Sequence, residues 1–109
     1  MYVVCEEKQL YGYYRILVFL DDDKYDKSNI LWYIRHLYQN DPEVEFVTID
    51  DPAIDTINQN RYCAFYIVPE QRKLRQELRR RFRDRTGLDI HIQLYKNLVN
   101  IVNRNKYLK

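Results

Sequence analysis

Glycine is nearly missing from this chain, with two in 109 residues. That excludes the glycine-rich loops by which a backbone wraps a phosphate. Cysteine is as scarce. Cys5 and Cys63 are too few for a disulfide framework or a cysteine-rich zinc site. Both sit in apolar, strand-like runs and read as buried free thiols. No apolar run approaches the roughly 18 residues that a membrane span needs. Glu6, Glu7 and Lys8 come too early for the apolar core of a secretory signal. An intracellular, cytoplasmic protein without membrane contact is expected. With two histidines in the chain, no Ser/His/Asp or Cys/His set can be placed in one pocket.

What is present is an apolar fraction of 46%, too high for general disorder. The length suits one domain, residues 1–109, with one modest core. Tyrosine is abundant, with eleven residues. So tyrosine-rich and glycine-poor a composition fits small viral or mobile-element proteins, acting inside an infected host cell. The net charge of +2 hides an asymmetry. Residues 70–86 hold eight basic side chains and three acidic ones, while the remainder of the chain is net acidic. Such a split points to a polyanionic partner.

Periodicity predicts the elements. Residues 2–6 read as a short strand, with Lys8-Gln9 as a hairpin turn. The first confident strand is Tyr13–Leu20, followed by the charged loop Asp21-Asp22-Asp23-Lys24. A helix over 27–39, capped by Asp26 or Ser28, carries an Ile30/Ile34/Leu37 stripe. Asn40-Asp41-Pro42 ends it. Further strands are expected at 43–49, 61–68 and 89–95, with one helical turn near 53–57. A second helix spans 70–86, opened by Pro69 and closed by Gly87. Its apolar stripe is narrow: Leu74, Leu78 and Phe82. The tail 96–109 reads as an amphipathic helix.

This order predicts an α+β ferredoxin-like βαββαβ sandwich: a four-stranded antiparallel sheet with two helices on one face, an extra N-terminal strand and a C-terminal helix. Alternation then assigns Ile16, Val18, Leu20, Tyr62, Ala64, Tyr66, Val68, Ile90, Ile92 and Leu94 to the core. It leaves Leu17, Phe19, Arg61, Cys63, Phe65, Ile67, His91, Gln93 and Tyr95 on an open face. Phe19 and Phe65 are expected side by side on the two central strands.

Two segments carry a resemblance. Arg61-Tyr62-Cys63-Ala64-Phe65-Tyr66 resembles the longer strand signature of the RNA-recognition motif family, and Val18-Phe19-Leu20-Asp21 the start of its shorter one. Tyr62 stands where that family has glycine. The resemblance implies base stacking by Phe19 and Phe65 and a phosphate contact by Arg61. Tyr95 would join the stack.

On the second helix Arg72, Arg75, Arg79 and Arg83 fall along one side, suited to phosphates by their planar, permanently charged forks. Glu77 can pair with Lys73 or Arg81. Asp21–Asp23 and Asp50-Asp51 end two parallel strands at one sheet edge, where carboxylates could gather Mg²⁺. His91-Ile92-Gln93 resembles a variant of the paired-histidine strand of rolling-circle endonucleases, but no tyrosine and lysine are placed to complete it. The expected function is therefore a non-catalytic nucleic-acid-binding module, without cofactor or metal, favouring RNA or single-stranded DNA. The alternative is a homodimer joined across the apolar sheet face (Leu17, Phe19, Cys63, Phe65, Ile67), or a viral factor binding a host protein there.

Overall fold

The protein is seen in a computed structural model that describes residues 14–39, 41–69 and 71–107, with side chains as far as Arg104. The expected N-terminal strand, its hairpin turn and Cys5 lie outside the described residues. Four strands, β1 (Arg15–Leu20), β2 (Glu43–Thr48), β3 (Ala64–Ile67) and β4 (Gln93–Leu94), form one sheet in the order β2-β1-β3-β4. Three α-helices flank it: α1 (Lys27–Tyr38), α2 (Arg72–Thr86) and α3 (Tyr95–Tyr107).

Every strand pair is parallel. The antiparallel ferredoxin-like sandwich is therefore incorrect for this chain. The cause lies in the connection 49–63. A ferredoxin-like sheet needs its second and third strands antiparallel. This connection instead winds through two 3₁₀ turns, Pro52–Thr56 and Gln59–Arg61, and buries Ile54 against the sheet. It thereby crosses β1 and starts β3 in the same direction as β2.

Parallel strands need crossovers, and crossovers cover faces. Ile16, Val18 and Leu20 of β1, with Ala64 and Tyr66 of β3, pack under Ile30 and Ile34 of α1 and Leu98 and Val102 of α3. Leu17, Phe19, Phe65 and Ile67 pack on the opposite side, under Leu78 and Phe82 of α2 and beside Ile54, Ile90 and Ile92. Phe19 and Phe65 do lie side by side, their rings 6.4 Å apart and nearly parallel, but Phe82 closes over both at 6.1 and 6.4 Å. No sheet face is left open between β1 and β3.

Several assignments of side also change. Ile90, Ile92 and Leu94 belong with Phe19 rather than with Ile16, Tyr95 belongs with Ile16 rather than with Phe19, and Tyr62 and Cys63 exchange faces because β3 begins only at Ala64. The fourth strand is two residues long, and Pro69 is a buried residue beyond β3 rather than the first residue of α2.

Local signals set the helix ends. The Asp26 carboxylate accepts from the Asn29 N–H at 3.3 Å and caps α1. Gly87 stops α2 with φ at 73°, its N–H donating to the Arg83 carbonyl at 2.7 Å.

Two of the buried tyrosines, Tyr62 and Tyr95, set an alkaline limit. Burial, then the hydrogen bond from its phenol to the Glu45 carboxylate, pushes Tyr62 up to about 12. Burial pushes Tyr95 up to about 12 as well, and its hydroxyl has no hydrogen-bond partner among the described residues. The unfolded chain ionises both near 10.0, so their neutral forms stabilise the fold fully below that pH. That contribution declines as pH rises from 10.0 towards about 12. The thermal midpoint should fall between about pH 8 and about pH 11, and fall less in Tyr95→Phe. An equal fall in both proteins would contradict the assignment for Tyr95.

Candidate nucleic-acid interface

The basic residues of α2 divide into two groups. One group is engaged within the fold. Arg85 donates to the Ile54 carbonyl at 2.9 Å and the Ile57 carbonyl at 2.5 Å, and its guanidinium lies 4.7 Å from the centre of the Phe82 ring. It thus ties the end of α2 to the 3₁₀ segment. Arg81 holds Asp55 at 2.9 Å in the same seam. Arg80 bridges Glu77 at 2.5 Å and Asp84 at 3.3 Å along the outer surface. Glu77 therefore pairs with neither Lys73 nor Arg81, the two partners its spacing suggested.

The second group is the expected row. At 3.6 residues per turn Arg72, Arg75, Arg79 and Arg83 fall within roughly 80° of one another. They occupy the flank next to the core stripe, on the side of the α2–β4 connection. No acidic residue of α2 shares that flank; Glu77 and Asp84 are turned away and are engaged by Arg80. Arg79 makes two bonds to the Asp89 carboxylate, at 3.3 and 2.9 Å. That contact, aided by the charge of Arg83, holds the Asp89 carboxyl below its ordinary value. Arg72, Arg75 and Arg83 take no hydrogen bond or ion pair among the described residues, and the Nε of Arg75 is buried without a partner.

The expected stacking residues are elsewhere. Phe19 is 0% exposed, Phe65 7% and Tyr95 8%. Buried rings present no face to a base. Phe65 and Phe19 lie beneath α2, and Tyr95 packs edge-on against Tyr33 at 5.9 Å beneath α1. Arg61 is exposed at the end of the second 3₁₀ turn, its guanidinium 5.8 Å from the Tyr62 ring centre. It is not brought onto the α2 flank by any contact. Cys63 is buried, its Sγ donating to the Arg15 carbonyl at 3.2 Å. The sheet face on which a second copy was expected to dock is the face that α2 covers.

The acidic loops do meet at one sheet edge, because β1 and β2 run parallel with Leu20 beside Thr48. Two of these carboxylates accept in local turns, Asp22 from the Lys24 N–H and Asp51 from the Ala53 N–H, while the Oδ1 of Asp21 is buried without a hydrogen-bond partner among the described residues. No group of three or more His, Cys, Asp or Glu among the described residues is placed to hold a metal ion. No helix among them is long and apolar enough to cross a membrane.

A feature not anticipated from the sequence lies at the opposite edge, before β3 and β4. Residues 59–63 and 88–91 enclose a cavity of about 410 Å³. Gln59, Tyr62 and Phe65 line it from one side, Asp89 and Ile90 from the other, and Arg79 reaches in from α2. Only the parallel pairing of β3 with β4 brings these two segments together. The amide-rich run Asn58-Gln59-Asn60 was the one sequence signal available for it.

The division of the arginines has a measurable consequence. Arg85→Ala should cost about 1–3 kcal/mol, since it strands two carbonyls that accept from a charged donor. Arg72→Ala should stay within about 0.5 kcal/mol of wild type. Urea unfolding of the two variants measures this, and equal losses would contradict the division.

No protein-family model, no curated protein and no solved structure matches this chain.

Proposed function

We propose that this chain is a non-catalytic nucleic-acid-binding module, favouring RNA or single-stranded DNA, and that it grips the phosphate backbone with the arginine flank of α2. The observation that carries this reading is the pairing pattern within α2. Four of its arginines are committed to the fold or to neighbouring acids, whereas Arg72, Arg75 and Arg83, along one flank with Arg79 among them, take no hydrogen bond or ion pair among the described residues. A helix that needed charge only for solubility would not segregate its acids from one arginine row.

The row spans about 16 Å at a rise of 1.5 Å per residue. Arginine forks over that length can neutralise three or four phosphates, without reading sequence. Neither the strand signature nor base stacking at Phe19, Phe65 and Tyr95 enters this proposal, because those rings are buried. Arg61 is exposed and can add a contact only if the bound strand also reaches the second 3₁₀ turn.

Fluorescence anisotropy with labelled single-stranded RNA, single-stranded DNA and duplex DNA tests the proposal. Binding to single strands should weaken with salt, with a log–log slope of about −2 to −3 for three or four neutralised phosphates. Arg75→Ala with Arg83→Ala should make that slope shallower by about 1.4. Absence of binding at low salt, or a slope unchanged in the double variant, would overturn it.

A further inference from the structure

We infer that the outer edge of β2 receives a second copy of this chain, strand against strand, in a two-fold dimer with one continuous sheet. β2 is an edge strand of six residues, paired with β1 on one side and with nothing among the described residues on the other. Natural sheets blunt such edges with a short strand, a lysine, a proline, a bulge or other charge. The opposite edge, β4, is two residues long. β2 pairs with β1 without a break and contains neither lysine nor proline. Its two acids are drawn back into the fold, Glu43 by Arg15 at 3.0 Å and Glu45 by the Tyr62 hydroxyl.

The backbone fixes the register. The Glu43 and Ile49 N–H groups donate inward, to the Tyr14 and Leu20 carbonyls at 2.9 and 2.6 Å. Direction alternates along a strand, so Val44, Phe46 and Thr48 turn their N–H and C=O groups outward. Of these groups the Thr48 carbonyl is taken by the Asp51 N–H at 3.0 Å. An antiparallel copy centred on Phe46 sets Phe46 against Phe46 and Val44 against Thr48. The two Phe46 residues then exchange their N–H···O bonds, and each Thr48 N–H meets a Val44 carbonyl.

The same centring settles the charges. Glu45 faces Val47 of the copy and Glu43 faces its Ile49, so no acid opposes an acid. A centre at Glu45 would set that carboxylate against its own counterpart. The strand is complementary to itself, and that singles out a second copy as its occupant. The strip beside the edge is apolar. Phe46 is half-buried, with the Lys27 ammonium 5.6 Å from its ring centre. Leu31, one helical turn beyond Lys27, is half-buried too but packs against neither apolar cluster of the core. The two-fold axis stands perpendicular to the sheet, so both α1 helices share one face and both α2 helices the other. Dimerisation here is independent of nucleic-acid binding.

Sedimentation equilibrium and amide hydrogen exchange on the full chain, from about 1 μM to about 1 mM, test this. The chain should pass from monomer to dimer across that range. The Phe46 and Thr48 amides should gain protection with concentration, whereas those of Glu45 and Val47, which point to β1, should be protected throughout. Phe46→Lys should weaken association by about tenfold or more. Thr48→Pro removes an outward donor, leaves the bonds to β1 in place and should weaken association as well. Melting temperatures confirm that both variants fold. A monomer at every concentration overturns the inference, whether its Phe46 and Thr48 amides exchange freely or are covered by another part of the chain. So does a dimer that neither variant weakens, or one whose Phe46 and Thr48 amides exchange alike at all concentrations.

Discussion

The pairing of β1 with β3 is the contact on which the other features depend. Leu17 sits beside Phe65 and Phe19 beside Ile67 in a parallel register, and neither strand has a polar face to offer water. A strand pair that is apolar on both sides must be roofed on both sides. One roof is α1 with α3, over Ile16, Val18 and Tyr66. The other is α2, whose Leu78 and Phe82 press on Phe19 and Phe65. The order β2-β1-β3-β4 follows, since the chain leaves β1 towards β2 over one face and continues through β3 to β4 over the other.

That packing decides which charges are available. Because α2 spends its narrow apolar stripe on the sheet, its basic residues are sorted by where they fall around the helix. Those next to the 3₁₀ segment are consumed in tying it down, as Arg81 and Arg85 show. Among the described residues the row on the other flank meets only Asp89, which accepts its hydrogen bonds from Arg79. The same geometry sets Arg79 against the cavity before β3 and β4. The arginine row and the recess thus share one side chain.

Much of the local structure was legible. The ends of α1 and α2 follow from Asp26 and Gly87, the helical turn after Pro52 from Asp51, and the neighbouring positions of Phe19 and Phe65 from strand alternation. The arginine row was legible too, since helical spacing alone defines it. Strand direction was not. Ile16-Leu17-Val18-Phe19-Leu20 is an unbroken apolar run, the pattern of a strand covered on both faces, yet a period of two can be read through it as easily. The alternating reading implies an open face, and only an open face could present Phe19 and Phe65 as the RNA-recognition resemblance implies. The 49–63 connection held the correction, because its length and its buried Ile54 suit a crossover. The cavity depends on two segments far apart in sequence and could be seen only once β3 and β4 were paired.

The most direct test of this account is a set of nuclear Overhauser contacts from the rings of Phe19 and Phe65. The account requires Phe82 protons close to both rings, together with backbone contacts from Leu17 to Phe65 and from Phe19 to Ile67 in a parallel pattern. Observing them places α2 over the sheet and leaves its arginine flank as the basic surface facing solvent. Rings without contacts to α2, or strand contacts in an antiparallel pattern, would contradict the account and restore the sheet face as the candidate surface.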